Sequence, residues 1–214
     1  MEMNFKTAFF VPLFLLMLMS CNEQDKPLDL QTGDILFRGR QSSELSKAID
    51  DVTQTGQAHH YTHMGIVEFS NDTLWVLHAA PQKGVCKELL EQFCGWDDET
   101  VKVGHYRLKN RNKAQIHRAI NRGHAELGQP YNYTYIMEDE GYYCSEFIYE
   151  LFAPDSVFQL DSMTFIDPQS GQFHPGWVKH YRKLGIAIPE GKLGCNPNGM
   201  AASDNLIFLG YLVN

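Results

Sequence analysis

The sequence predicts an α+β fold in which an antiparallel sheet packs against helices, and three observations carry that prediction. Short apolar segments bounded by turn residues crowd the first half of the chain, while segments with helical spacing dominate the second. Strands gathered in a block, with helices after them, point to α+β and not to alternating βαβ units. The 214 residues are 43% apolar, 12% aromatic and 21% charged, which is enough for one filled core. No internal repeat or Gly/Ser/Pro-rich linker divides them.

The elements follow in chain order. Lys6 precedes an apolar run over residues 8–19, too short to span a bilayer but suited to a secretory leader. That run ends in Leu18-Met19-Ser20-Cys21, which is similar to a bacterial lipobox, so residues 1–20 are read as a lipoprotein signal and Cys21 as the lipidated residue. Residues 21–30 make a polar tether, and 31–214 the globular domain. Residues 33–37 read as a buried strand, 43–51 as a weak helix, and 64–69, 74–80 and 101–108 as further strands. Residues 84–93 are ambiguous, since 85–89 alternate like a strand while Leu89, Leu90 and Phe93 have helical spacing. Helices are predicted over 111–127, over 144–152 up to the stop at Ala153-Pro154, and near 177–183. A last strand covers 206–212.

Charge and cysteine usage exclude several functions. Eighteen Lys and Arg against 26 Asp and Glu leave a net charge of -8, opposite to the basic stripe a nucleic-acid binder needs. Five scattered cysteines with no CxxC pair make neither a disulfide scaffold nor a structural zinc site. His59, His60 and His63 lack a carboxylate or cysteine at ligand spacing, so no metal and no cofactor is expected. Cys86 and Cys94 could pair in an oxidising compartment, leaving Cys195 over. Oligomeric state is open.

Three residues carry the candidate chemistry. Cys144 opens a predicted helix, where the dipole and free N–H groups favour a thiolate, although Cys144, Phe147, Ile148 and Leu151 also form a buried stripe. His63 and His78 sit on two strands joined by Asn71-Asp72, a good two-residue hairpin loop. If these two residues form the loop, Ser70 pairs with Thr73 and Gly65 falls opposite His78. The imidazoles are then diagonal neighbours on one face, with backbones about 7–8 Å apart. That face is expected to look toward the Cys144 helix, with the sulfur within hydrogen-bonding reach of His63. His63 would act as base, and His78 would hold its tautomer.

The runs Gly33-Asp34-Ile35-Leu36-Phe37, Tyr61-Thr62-His63-Met64-Gly65-Ile66-Val67, Gly84-Val85 and Tyr143-Cys144-Ser145-Glu146-Phe147 together resemble the circularly permuted NlpC-type cysteine hydrolases of the YiiX/YaeF-like group. The resemblance covers most of the chain after the leader. It implies a permuted papain-like domain with histidine before cysteine, in which Cys144 is the nucleophile, His63 the base and position 78 the third polar residue. Many relatives carry a carboxylate at that third position, and His78 is instead similar to the second histidine of the lecithin retinol acyltransferase family. The implied activity is cleavage of an amide in cell-wall peptides through an acyl-thioester. The alternatives are an acyltransferase or phospholipase acting on lipid esters, and a non-catalytic binder. Asp34, Tyr133 and Tyr143 are candidate substrate-binding residues, with Asp34 equally readable as a turn residue. Glu146, early in the helix, reads as a cap. The leader and Cys21 place the protein in the bacterial envelope, held to a membrane by its lipid.

Overall fold

The structure is a computed structural model that describes residues 29–40, 43–56, 60–98 and 100–213. The leader, Cys21, nearly all of the tether and His59 lie outside the described residues. The elements in order are β1 (Ile35–Gly39), α1 (Glu44–Thr53), β2 (His63–Ser70), β3 (Thr73–Ala80), β4 (Gly84–Leu89), α2 (Leu90–Cys94), β5 (Lys102–Leu108) and α3 (Lys113–Ala125). Then come α4 (Cys144–Phe152), a 3-10 turn (Ala153–Asp155), β6 (Asp161–Ser162), α5 (Pro175–Leu184), β7 (Leu193–Gly194), α6 (Pro197–Ala201) and β8 (Leu206–Val213). The ambiguous segment is a strand and then a helix, so each pattern holds for its own half. The β6–β7 ribbon and α6 have no clear signal in the sequence.

Six strands form one antiparallel sheet in the order β4-β3-β2-β1-β5-β8. Asn71 and Asp72 both adopt positive φ, and the hairpin closes on Ser70 opposite Thr73, as expected. Side-chain alternation then sorts the sheet into two faces. Met64, Ile66, Leu77 and Ala79 join the larger core with Phe147 and Ile148 of α4. Leu36, Val67 and Val76 join a smaller core on the other face, closed by Leu90, Phe93 and Cys94 of α2. Helix α4 therefore packs on β2 and β3 through its apolar stripe, with α3 behind it. Truncating Phe147, which is 1% exposed, would leave a cavity costing about 3–5 kcal/mol.

Two close approaches place the site. A Cβ on Gly65 would meet Val76 Cγ1 at 2.5 Å and His78 Cβ at 3.2 Å, so only glycine lets β3 lie this near. Gly84 has φ +68°, and a Cβ there would collide with the Gln129 carbonyl. The loop after α3 docks on that spot: Val85 N–H donates to Gln129 O and Gly128 N–H to Val85 O, both at 2.9 Å. This sets the tyrosine-rich stretch leading into α4 against the sheet.

Candidate active site

Cys144 opens α4 after Tyr143, whose extended backbone forms the cap. Glu146 closes that end: its Oε2 accepts the Tyr143 N–H at 3.0 Å and an Asn132 Nδ2–H at 3.2 Å. Burial nonetheless pushes the Glu146 carboxyl up to about 8. The tail of the chain clasps the same spot, with Ser145 Oγ donating to Cys195 O at 3.0 Å and Cys195 N–H donating to Tyr143 Oη at 3.2 Å. It also reaches the histidine strand, since Tyr61 N–H donates to the buried Asn198 Oδ1 at 2.7 Å. Cys144 is only 5% exposed. Burial pushes its thiol up to about 11, outweighing the backbone donors of Met64 and Ser145 and the charge of Arg38. The expected helix-terminus thiolate is thus corrected to a neutral thiol: dry packing dominates the dipole here.

His63 and His78 share one face, as the register requires, and their rings meet edge to face. That face is the one under Phe93, whose ring contacts both imidazoles, and not the face covered by α4. The expectation that the pair looks toward the helix is therefore corrected. The sulfur takes the backbone of Met64, the neighbour of His63, and among the described residues no hydrogen bond joins Cys144 to His63. Arg38 bridges the surroundings. It donates to Phe93 O at 2.5 Å, lies over the Phe93 ring, and bears electrostatically on Cys144 and both histidines.

The histidines end on a carboxylate that goes unnoticed in the sequence. His63 Nε2 lies 2.7 Å from His78 Nδ1, and His78 Nε2 lies 3.1 Å from Glu88 Oε2. Hydrogen bonds from His78 and Lys83 hold the Glu88 carboxyl down at about 2, against burial. An ionised carboxylate only accepts, so the proton on His78 sits on Nε2. Nδ1 of His78 then accepts from His63 Nε2–H, and the lone pair of His63 is left on Nδ1. Burial lowers His63 well below its ordinary value and His78 below its own, so both rings are neutral bases at neutral pH. Glu88 could have been found from the register of the β3–β4 hairpin: Ala80 faces Gly84, His78 faces Cys86, and Glu88 is the diagonal neighbour of His78.

A cleft of about 110 Å³ opens at Cys144. Tyr131, Tyr135, Tyr143, Phe165 and Trp177 line it, and Asp161 is the one charged side chain among the described residues on its wall. Of the three predicted substrate contacts, only Tyr143 is there. Tyr133 instead accepts Gln82 N–H at 3.0 Å on the outer surface, because the segment is a loop with Tyr135 at φ 55° and not an alternating strand. Asp34 is wholly buried, bonded by Gln31 N–H at 2.8 Å, His105 Nε2 at 2.7 Å and Arg107 Nε at 2.7 Å, so a substrate amine has no access to it. Cys86, Cys94, Cys144 and Cys195 are all free thiols, so no Cys86–Cys94 disulfide forms. His78, Cys86 and Glu88 group their donor atoms within 4.8 Å of one another and are the residues that could hold a metal ion.

Residues 29–210 match the model of a family described as permuted papain-like amidase enzymes, YaeF/YiiX. Among solved structures, the chain is similar to the metalloprotein YiiX from Escherichia coli O157:H7. The TM-score is 0.71 at 22% identity, covering 86% of this chain and 98% of that one. No curated protein matches the sequence.

Proposed function

Because the chain belongs to the permuted papain-like amidase family and is a cysteine hydrolase, we propose that Cys144, His63 and His78, extended by Glu88, cleave an amide bond in a cell-wall peptide at the bacterial envelope. The observation that carries this reading is the unbroken line Glu88–His78–His63, ending one residue from Met64, whose backbone meets the sulfur of Cys144 on the cleft wall. The sulfur is neutral at rest, so attack and proton transfer go together: Cys144 Sγ adds to the carbonyl carbon as its proton passes to Nδ1 of His63. The approach of substrate brings the two groups into contact, since apo geometry is looser than the reacting one. Free N–H groups of the first turn of α4 receive the oxyanion. His63 then protonates the leaving nitrogen, the C–N bond breaks, and water hydrolyses the thioester by the reverse relay. Glu88 steadies the imidazolium through His78, the part a single carboxylate plays in other triads.

Leu18-Met19-Ser20-Cys21 supports attachment to a membrane through a lipid on Cys21. A palmitate analogue should label the wild-type protein and not Cys21→Ser, and equal labelling would remove the anchor. Asp161 suits a substrate ammonium, which cell-wall peptides offer. The aromatic lining of the same cleft favours a second reading, an ester-linked acyl chain handled by the same relay. Incubation with a muropeptide digest and, in parallel, with phospholipid esters, read by mass spectrometry, separates the two. New peptide fragments support the amidase, and released or transferred acyl groups with intact muropeptides would replace it with the lipid reading. Stoichiometric binding with no product in either arm points to a binder.

A further inference from the structure

We infer that His78, Cys86 and Glu88 form a site for a thiophilic divalent cation such as Zn²⁺, placed behind the histidine relay. This departs from the expectation, on sequence, of no metal. The three donors come from two paired strands. Cys86 faces His78 across the β3–β4 ladder, and Glu88 lies two residues farther along β4 on the same face. His78 Nε2 is 3.4 Å from Cys86 Sγ and 3.1 Å from Glu88 Oε2. Tetrahedral zinc, with Zn–N and Zn–O near 2.0–2.1 Å and Zn–S near 2.3 Å, needs donor separations of about 3.3–3.6 Å. Small side-chain shifts thus close a cation between the three. Phe93 packs against His78 on one side, and the site's outer rim is the exposed Lys83, which bonds Glu88 and can swing away.

The donor set selects the metal. A thiolate, an imidazole and one carboxylate suit zinc or its soft neighbours, whereas calcium and magnesium want several oxygens. Three protein ligands leave the fourth position to water. Binding is balanced simply: the Cys86 thiol releases its proton to solvent, and the cation takes the sulfur, the carboxylate oxygen and Nε2 of His78.

The location has a consequence that rests on the function proposed above. A metal on Nε2 of His78 moves that ring's proton to Nδ1, which then donates to Nε2 of His63. The His63 proton shifts to its own Nδ1, and the lone pair that the proposed base step uses is gone. The metal therefore works as a reversible stop on the relay.

Metal-free protein titrated with Co²⁺, a spectroscopic stand-in for zinc, should develop a thiolate-to-cobalt charge-transfer band saturating at one equivalent and bleached by Zn²⁺. Cys144→Ala should keep the band and Cys86→Ala lose it, with circular dichroism confirming that both variants fold. No band in the wild type, or one that follows Cys144 instead of Cys86, overturns the site. In a second arm Zn²⁺ should slow alkylation of Cys144 in the wild type and leave Cys86→Ala unaffected. Equal slowing in both, or none in a protein that shows the cobalt band, overturns the stop. The cobalt spectrum needs no turnover, so a failure of the amidase reading is told apart from a failure of the metal site.

Discussion

Among the described residues, two carboxylate–histidine pairs of the sheet have a buried ring, Asp34 with His105 and Glu88 with His78, and they are built differently. Asp34 and His105 meet at 2.7 Å, and Arg107 and the Gln31 N–H occupy the rest of the carboxylate. Burial pulls the Asp34 carboxyl up, but Arg107 and His105 outweigh it and leave it below its ordinary value. Glu88 and His78 meet at 3.1 Å, and there the chain of bonds runs on to a second imidazole, with a ring nitrogen of His63 left over. The first pair is closed by a guanidinium, and the second stays open at its far end. A carboxylate next to histidine is therefore a poor sign of catalysis by itself; an unused basic nitrogen at the end of the line is the better one.

The largest way to break this contrast is at the open end. Cys144→Ala and His63→Ala should each lower kcat by on the order of 10⁴–10⁶-fold on any substrate found, measured on protein shown by circular dichroism to be folded. A surviving rate in His63→Ala would move the base elsewhere. Next comes the closed pair. Asp34→Asn removes the fully buried carboxylate that Arg107 and His105 share and should cost about 1–3 kcal/mol in urea unfolding, while folded enzyme keeps its kcat. A lost kcat with unchanged stability would mean that Asp34 belongs to the site after all. Smaller again, Glu88→Gln should reduce kcat about 10–100-fold, as losing a partner that orients a working ring does. It should cost less stability than Asp34→Asn.

The smallest effects are on pH. His63 is held neutral well below its ordinary value, so the base form persists as pH falls through 6.5. The acid limb of kcat/KM should therefore appear only below that point. A limb centred at 6.5 would mean a solvated imidazole. Glu88 titrates near 2 when folded against 4.5 for an ordinary glutamate. Its stabilisation is complete above 4.5 and drains away as pH falls from there toward 2. Glu88→Gln should flatten that part of the stability profile.

What could be read from the sequence was local. The hairpin register followed from Asn71-Asp72, whose positive φ angles fix a two-residue turn, and it placed His63 and His78 together. The start of α4 followed from the Cys144, Phe147, Ile148, Leu151 stripe and the stop at Pro154. What was hidden depended on distant partners. His105 and Arg107, which fill Asp34, lie 71 and 73 residues away in sequence. The elevated Cys144 thiol comes from burial under the whole domain, which no spacing rule reports. Glu88 sat in a segment that changes from strand to helix at Leu89–Leu90, so its face could not be assigned before β4 was paired.

The clasp made by residues 195–198 governs timing. Cys195 ties down the start of α4, and Asn198 ties down the approach to β2, so one short stretch holds both halves of the proposed reactive centre. A ribosome that has released everything up to α5 has already made Cys144, His63, His78 and Glu88, yet not the strap that registers them. A nascent chain thus carries the proposed nucleophile in an idle form. Competence arrives only once residues 195–198 have been made and have docked.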